Sequence, residues 1–386
     1  MRRRKRCLRQ VNNLNKVILP GQTIGIIGGG QLGRMMALAA KASGFKIAVL
    51  DPTPDCPCGQ VADIEITANY DDLDALQQLA RVSDVITFEF ENINGEALDT
   101  LLNNAYVPQG SELLKISQNR IIEKRTITES GAKVAPYAVI KTKDDLTEQV
   151  GIIGFPCVLK TATGGYDGKG QHVLKSKEDV AEAVKLLGQS DCVLETWINF
   201  SKEISVIVAR NVDGETKVFP VAENIHHDNI LHQSIVPARI TEETEQLANK
   251  QAILIANSMN MVGILAVEMF VTEDGDIYIN ELAPRPHNSG HYTMEACETS
   301  QFEQHIRAVC NWKLGDTTLL KPVVMVNILG EHMDALMENI PKLDNWKIHL
   351  YGKSEAKLKR KMGHVNILRD NTDLALKEAE QSKIWS

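Results

Sequence analysis

The chain has 386 residues, of which 43% are hydrophobic and 24% are charged, and its 42 basic and 50 acidic side chains give a formal net charge of −8. This length predicts two or three domains with cores of their own, and the composition excludes a largely disordered chain. The net charge argues against nucleic acid as a main partner, and no apolar run approaches the roughly 20 residues that cross a bilayer. Because no apolar core follows the basic N-terminus as in a signal peptide, we expect a soluble, cytoplasmic protein that binds no membrane.

Basic residues cluster in two islands. The first, MRRRKR, opens a segment over residues 1–20 that we predict to be a disordered basic extension. The second runs from Lys353 to Lys361, where only Glu355 opposes the positive charge. A solvated surface run is the ordinary interpretation of such an island, and a binding site for an anion is the alternative.

The seven cysteines are spread thinly along the chain, and their odd number does not describe a disulfide framework. Cys56 and Cys58 flank Pro57, but no second Cys or His pair is near enough in sequence to indicate a zinc site. We therefore expect reduced thiols.

Residues 21–117 form the first predicted domain, and from residue 23 to about residue 105 they repeat one unit, which consists of an apolar run, a turn and a helical pattern. The apolar and β-branched runs predict buried parallel strands, and the spacing of apolar residues between them predicts helices. The predicted strands are 23–27, 46–50 and 85–90, and the predicted helices are 31–43 and 72–81. Right-handed crossovers would join these elements into a Rossmann-like α/β domain with a parallel sheet.

The pattern changes after residue 117. Residues 118–195 contain a helical pattern, a strand pattern and a glycine-rich stretch, and they predict a small domain. Strand-like runs at 193–209, 218–222, 263–271 and 276–282 predict a larger α+β domain over residues 196–386. The expected fold class is therefore α/β followed by α+β.

A G-x-G-x-x-G motif, formed by Gly28, Gly30 and Gly33, follows the first predicted strand and opens the first predicted helix. Such glycines let backbone amides and a helix N-terminus approach an anion, and Asp51 closes the next strand as in dinucleotide-binding proteins. A nicotinamide dehydrogenase is one interpretation. Another phosphorylated ligand, or glycines needed only for close packing of strand on helix, are the alternatives.

A second glycine-rich loop, residues 164–170, comes directly after Lys160 at the end of an apolar run. A flexible loop of this kind can fold over a polyphosphate and donate amides to its oxygens. The spacing is not that of a P-loop, and no helical pattern follows at once. We therefore predict a phosphate-covering flap between two strands, with a plain surface hairpin as the alternative.

The third motif is a predicted hairpin with a carboxylate on each strand. Asp274-Gly275 is a strong two-residue turn signal, and a turn centred there places Glu268 directly opposite Glu281. Facing carboxylates repel one another, and Mg²⁺ held by one or two carboxylates and substrate phosphates relieves that repulsion. The alternative is a different register, in which both are ordinary surface glutamates.

A lysine, a glycine flap and a carboxylate pair together resemble the ATP site of the ATP-grasp superfamily. Longer motifs resemble the ATP-dependent N5-carboxyaminoimidazole ribonucleotide synthetases of bacterial purine synthesis, and the resemblance runs in order from about residue 23 to about residue 367. Those motifs are IGGGQLGRM at 27–35, FEFEN at 88–92, GGYDGKGQ at 164–171, NELAPRPHNSGH at 280–291, YGK at 351–353 and RKMGH at 360–364.

The resemblance implies an ATP-grasp fold with ATP between the middle and C-terminal domains. It implies Mg²⁺, or Mn²⁺ in its place, on Glu268 and Glu281; strand alternation would point Asn280 to the opposite face. The implied ATP-binding residues are Arg120, Lys160, Gly165, Tyr166, Asp167, Gly168, Lys169, Gly170, Gln171, Glu195, Thr196, Trp197, Ile198, Glu203, His226, Asn280 and Glu281.

The resemblance also implies a carboxylation driven by ATP. Bicarbonate would be held near Arg285 and His287, and Asp167 would orient the amine of 5-aminoimidazole ribonucleotide. The implied catalytic residues are Asp167, Arg285, His287 and Lys353, and the implied substrate-binding residues are Gly30, Gln31, Glu91, Lys353 and Arg360. The family further implies a homodimer whose product passes to the mutase of the same pathway.

Three alternatives stay open at this point. Another ATP-grasp ligase, such as a formate-dependent transformylase or a biotin carboxylase, would share the flap and the carboxylate pair. A nicotinamide dehydrogenase would give that pair no task. A nucleotide sensor without turnover would keep only the ATP site.

Overall fold

A computed structural model describes residues 16–165, 169–188 and 190–385. The N-terminal unit is a parallel sheet in the order β3-β2-β1-β4, which confirms the predicted Rossmann-like sheet. Apolar side chains of all four strands are buried beneath its helices. The strands are β1 (Thr23–Ile27), β2 (Lys46–Asp51), β3 (Ile64–Thr67) and β4 (Val85–Phe88), and the helices are α1 (Gln31–Ala42), α2 (Leu73–Val82), α3 (Gly95–Leu102) and α4 (Glu112–Ser117).

Residues 16–20, which fall within the predicted disordered extension, are packed against the rest of the chain. Ile18 is fully buried, and its amide donates to the carbonyl of Cys310 at 3.0 Å. The indole Nε1 of Trp312 donates to the carbonyl of Ile18 at 2.7 Å. The prediction of disorder is therefore wrong for this segment, because burial of an isoleucine anchors it; the MRRRKR island lies outside the described residues.

The middle of the chain forms an antiparallel sheet in the order β5-β8-β6-β7. The apolar run that ends at Lys160 forms a strand that begins at Cys157, directly after Pro156, which has no N–H to give to a ladder. The strands are β5 (Tyr137–Ile140), β6 (Cys157–Thr161), β7 (Gln171–Leu174) and β8 (Cys192–Thr196), and the helices are α5 (Arg120–Glu129), α6 (Lys143–Ile153) and α7 (Val180–Ala183).

The rest of the chain is built on a large sheet in the order β14-β13-β9-β11-β12-β15-β17-β16, with β10 beside β9. The strand-like stretch at 193–209 is divided between β8 and β9, which belong to different sheets, and the run at 218–222 is interrupted by Pro220. The strands are β9 (Lys202–Arg210), β10 (Thr216–Val218), β11 (Ala222–His227), β12 (Ile230–Val236), β13 (Gly263–Val271), β14 (Ile277–Ala283), β15 (Val323–Leu329), β16 (Lys347–Leu350) and β17 (Lys361–Leu368). The helices are α8 (Glu242–Ser258), α9 (Thr293–Ala296), α10 (Gln301–Val309), α11 (Met333–Asn339) and α12 (Thr372–Ser382).

Every cysteine among the described residues is a buried free thiol, as the sequence predicts. Burial raises the pKa of Cys56 to about 12, so this thiol is unreactive at neutral pH. In the described parts of the chain, no helix is both long enough and apolar enough to cross a membrane.

Candidate functional site

A cleft of about 1050 Å³ lies among the three sheets and collects most of the predicted site residues. Gly30 and Gly170 are not among its lining residues, and Tyr166, Asp167 and Gly168 lie outside the described residues. The predicted residues that line the cleft are Gln31, Glu91, Arg120, Lys160, Gly165, Lys169, Gln171, Glu195, Thr196, Trp197, Ile198, Glu203, His226, Glu268, Asn280, Glu281, Arg285, His287, Lys353 and Arg360.

The β13–β14 hairpin places Glu268 directly opposite Glu281, as predicted. The turn that closes it is not the predicted two-residue turn. Gly275 has a φ of +83°, its amide donates to the carbonyl of Thr272, and the loop has three residues, which shifts the register next to the turn by one. A β-bulge between Glu268 and the next residue of β13 restores the predicted pairing.

The same bulge explains the position of Asn280. Glu268 pairs with Glu281, and Met269 pairs with Ile279, so Asn280 is the extra residue on β14. An extra residue breaks the alternation of side chains along a strand. Asn280 and Glu281 therefore both line the cleft, and the expectation that Asn280 points to the opposite face is wrong.

The two facing glutamates repel one another when both are ionised. Burial, followed by the charge of Glu281, raises the pKa of Glu268 to about 8. Arg120 Nη1 lies 3.5 Å from Glu281 Oε2, at the first turn of α5, where the side chain of Asn119 caps the helix. No group of three or more metal-ligating side chains occurs among the described residues. The carboxylate pair suits a hard divalent cation whose remaining ligands would come from a bound phosphate.

Lys160 belongs to a buried ion cluster that includes a residue not predicted from the sequence. Its Nζ lies 3.3 Å from Glu195 Oε2, and Lys124 Nζ lies 3.1 Å from the same oxygen. Burial acts to raise the pKa of Glu195, but the two ammonium groups hold it below its ordinary value. Because this carboxylate forms salt bridges with both lysines, a contact of Glu195 with adenine would come from its backbone.

Apolar surface for a planar base comes from a pair of phenylalanines that the sequence analysis missed. The rings of Phe200 and Phe270 are stacked with centroids 4.5 Å apart, and both residues line the cleft. Beside them, His226 Nδ1 lies 2.9 Å from Glu203 Oε2. Burial opposes protonation of His226, but the Glu203 carboxylate holds the pKa of this imidazole above its ordinary value.

Arg285 joins the N-terminal unit to the large sheet. Its Nε lies 2.7 Å from Glu91 Oε1, in the segment that follows β4. Pro284 and Pro286 flank Arg285 and restrict its backbone. The pair with Glu91 and a hydrogen bond from Nη1 to the carbonyl of Pro286 at 3.2 Å orient the guanidinium, whose planar shape suits a planar anion.

His287 lies between the carboxylate pair and the arginine. Burial, followed by the charge of Arg285, lowers the pKa of His287 well below its ordinary value, so the ring is neutral. Its Nδ1 accepts a hydrogen bond from the amide of Ser289 at 3.4 Å and lies 2.9 Å from the Ser289 hydroxyl. The ring proton is then on Nε2, which lies 3.3 Å from Glu268 Oε1.

The amides of the first glycine motif are occupied by carboxylates of the chain itself. Gly29 N donates to Asp51 Oδ2 at 2.7 Å, Gly33 N donates to Glu89 Oε2 at 2.5 Å, and Gly30 N also donates to Glu89. A Cβ on Gly30 would lie 2.5 Å from Glu89 Oε1, so no room is left there for a pyrophosphate. This arrangement excludes the dinucleotide interpretation of the motif.

The second basic island divides into an exposed part and a part that lines the cleft. Lys353 and Arg360 are half-buried cleft residues, whereas Lys357 is exposed and pairs with Glu355. Lys353 Nζ donates to the carbonyl of Lys361 at 2.7 Å. Burial, followed by the charge of Arg360, lowers the pKa of Lys353 to about 8. Two cations at one end of the cleft suit a phosphate group.

The comparisons with known proteins agree with this geometry. Models of three domain families match the chain in order: the ribonucleotide synthetase preATP-grasp domain at residues 21–118, the ATP-grasp domain at 125–302, and the phosphoribosylaminoimidazole carboxylase C-terminal domain at 323–378. The N5-carboxyaminoimidazole ribonucleotide synthase of Bacillus subtilis is 55% identical over 363 residues, which cover 94% of this chain and 96% of that protein.

Solved structures show the same similarity. An ADP complex of N5-carboxyaminoimidazole ribonucleotide synthetase is 63% identical with a TM-score of 0.94, and the match covers 96% of this chain and 98% of that one. The Aspergillus clavatus synthase in complex with ADP and 5-aminoimidazole ribonucleotide is 29% identical with a TM-score of 0.88, over 96% of this chain and 98% of that one. The chain belongs to the N5-carboxyaminoimidazole ribonucleotide synthase family of ATP-grasp ligases.

Proposed function

We propose that the protein uses ATP and bicarbonate to carboxylate the 5-amino group of 5-aminoimidazole ribonucleotide, giving N5-carboxyaminoimidazole ribonucleotide, ADP and phosphate in purine biosynthesis. One observation carries the proposal. A single cleft brings the Glu268–Glu281 pair together with Arg285 and with the cations Lys353 and Arg360. These groups suit a triphosphate with its cation, a small planar anion and a ribonucleotide phosphate, and the A. clavatus relative binds ADP and the ribonucleotide together.

ATP would lie with its base beside Phe200 and Phe270 and its phosphates near Arg120 and Lys160. A hydrogen bond from Thr161 N to the carbonyl of Gly170 closes the base of the loop between β6 and β7. This glycine-rich loop would cover the phosphates. The residues at the end of β8, from Glu195 to Ile198, would contact adenine, and Glu203 with His226 would contact the ribose. Of the loop residues, Gly165, Lys169 and Gln171 line the cleft.

Glu268, Glu281 and the neighbouring Asn280 would hold Mg²⁺, or Mn²⁺ in its place. When bound, the cation neutralises charge on the phosphates during transfer. Arg120, which pairs with Glu281 at 3.5 Å, keeps one carboxylate oriented in the ligand-free protein.

Arg285 and His287 would hold bicarbonate so that one of its oxygens attacks the γ-phosphorus in line with the leaving ADP. The new P–O bond gives carboxyphosphate. Its C–O bond to phosphate then breaks, releasing CO₂ in the closed site, and the ribonucleotide amine forms the N–C bond as it loses a proton. Asp167 would orient that amine, and closure of the loop would exclude water, which hydrolyses the intermediate.

One assay tests the proposal directly. ADP release is measured with ATP, Mg²⁺ and bicarbonate, with and without 5-aminoimidazole ribonucleotide. We expect the ribonucleotide to stimulate ADP formation, with N5-carboxyaminoimidazole ribonucleotide formed in equal amount. A folded protein that releases ADP at the same rate with and without the ribonucleotide would refute the proposal and favour another ATP-grasp ligase, and a protein that binds ATP without any release would be a sensor.

We also propose that the protein acts in the cytoplasm as a homodimer and passes its product to the mutase of the same pathway. The support is the family resemblance. Sedimentation equilibrium of the purified protein tests the dimer, and a monomer at micromolar concentration would contradict it.

A further inference from the structure

A side chain of the N-terminal unit reaches the loop that carries Lys353. Gln60, which follows the Cys56-Pro57-Cys58 turn, donates a hydrogen bond from Nε2 to the carbonyl of Gly352 at 3.0 Å. These residues are 292 positions apart in the chain. Gln60 lies between β2 and β3 and Gly352 follows β16, so the bond joins loops of two different sheets. The loop between β16 and β17 is therefore held from the side of the parallel sheet.

Arg34 of α1 sets the direction in which the Gln60 amide points. Arg34 Nη1 donates to Gln60 Oε1 at 3.0 Å and to the carbonyl of Pro57 at 2.9 Å. Because an arginine can only donate, the amide oxygen of Gln60 faces Arg34, and the amide nitrogen is left to donate to the carbonyl of Gly352 and, at 3.3 Å, to that of Asp55. The turn between the two buried cysteines, which has no role in the chemistry above, supplies the second acceptor that holds Arg34.

Gly352 fits closely against this pair. It has a φ of +76°, and a Cβ built on it would lie 2.4 Å from Gln60 Oε1 and 3.5 Å from Arg34 Nη1. Lys353 follows directly in the chain, and its Nζ is oriented by the carbonyl of Lys361. A displacement of Gly352 would therefore shift the backbone of Lys353 and, with it, the ammonium group of that side chain.

We propose that Gln60 and Arg34 are positioning residues for ribonucleotide binding, because the Arg34–Gln60–Gly352 contacts fix the backbone from which Lys353 reaches the phosphate. The inference rests on the proposed function of Lys353 and assigns the N-terminal unit a part in the affinity for the ribonucleotide phosphate. Neither residue lines the cleft.

Gln60→Glu is the sharpest variant. The carboxylate keeps its pairing with Arg34, but it cannot donate a hydrogen bond to Gly352. It places a carboxylate oxygen against the carbonyl oxygen of Gly352. We expect the KM for 5-aminoimidazole ribonucleotide to rise about tenfold and the KM for ATP to stay at the wild-type value. Gln78→Glu, an exposed change of the same chemistry on α2, is the matched control and leaves both constants unchanged.

A double-mutant cycle separates positioning from general stability. Arg34→Met should raise the ribonucleotide KM in the wild-type background and add little to Gln60→Met, because both changes break the same chain of contacts. Full additivity, an unchanged ribonucleotide KM in Gln60→Glu, or equal rises in both KM values together with a lowered urea midpoint would overturn the inference. If Lys353→Ala leaves the ribonucleotide KM unchanged, the proposed phosphate site itself fails, whatever the Gln60 variants do.

Discussion

Replacing Glu281 with glutamine should destroy activity and stabilise the ligand-free protein. Residues opposite one another in adjacent strands have Cβ atoms about 5 Å apart, and two unit charges at that distance repel by about 3 kcal/mol at an effective dielectric constant of about 20. The variant also loses the partly exposed pair with Arg120, worth about 0.5–1 kcal/mol. We therefore expect a net stabilisation of about 2 kcal/mol when both carboxyl groups are ionised.

The pH at which this gain appears follows from Glu268. Its pKa is raised from 4.5 to about 8, so the folded protein keeps this carboxyl protonated at pH 6 and ionises it by pH 9. A raised carboxyl pKa means that stability falls as pH rises from about 4.5 to 8. The advantage of Glu281→Gln should accordingly be small at pH 6 and reach its full size at pH 9.

Urea unfolding at pH 6 and pH 9 measures the stability, and ribonucleotide-stimulated ADP release measures the turnover. We expect kcat to fall about a hundredfold or more, because the cation that we propose for the transferring phosphoryl group would lose one oxygen ligand. Glu273→Gln, at the exposed turn of the same hairpin, is the control and should change neither quantity. A Glu281→Gln protein with wild-type kcat, or with no gain in stability at pH 9, would refute the reasoning.

Three further predictions concern Lys353 and the N-terminal segment. Lys353→Ala should raise the ribonucleotide KM by tenfold or more with little effect on the KM for ATP; an unchanged ribonucleotide KM would remove this residue from the site. The pKa of Lys353 is lowered to about 8, so its ammonium group is charged below that pH and neutral above it, and we expect the wild-type ribonucleotide KM to rise between pH 7 and pH 9 and not to fall. Deleting residues 1–15 should leave kcat and the urea midpoint unchanged, whereas deleting residues 1–20 should lower the midpoint because Ile18 is fully buried.

The β13–β14 hairpin shows which structural features local sequence signals predict and which they do not. The Asp274-Gly275 signal is compatible with a two-residue and a three-residue loop, because a glycine in the left-handed region serves both. The sequence contains no comparable signal for the bulge at Asn280, whose position depends on packing against the rest of the sheet. The pairing of Glu268 with Glu281 was predicted correctly because the two unpredicted features offset one another.

Other site residues were beyond the reach of sequence patterns because only the tertiary fold brings them together. Lys124 is one charged residue in a helical pattern, and nothing local shows that its side chain turns inward to Glu195. Phe200 and Phe270 are 70 residues apart and meet because β13 pairs antiparallel with β9. Motifs several residues long, such as the glycine loop, could be recognised because their residues are adjacent in the sequence.

The first glycine motif shows why its chemistry could not be inferred from spacing alone. The N-terminus of a helix that follows a parallel strand favours an anion, and that anion can be a ligand or a carboxylate of the same chain. Here the anions are Asp51 at the end of β2 and Glu89 just after β4, both fixed to the same sheet. With these amides occupied, a ribonucleotide phosphate would need cations from elsewhere, and we propose that the loop that carries Lys353 supplies them from the far end of the large sheet. Such a site requires that the loop with Lys353 keeps a fixed position against the N-terminal unit. We assign this task to the contact between Gln60 and Gly352.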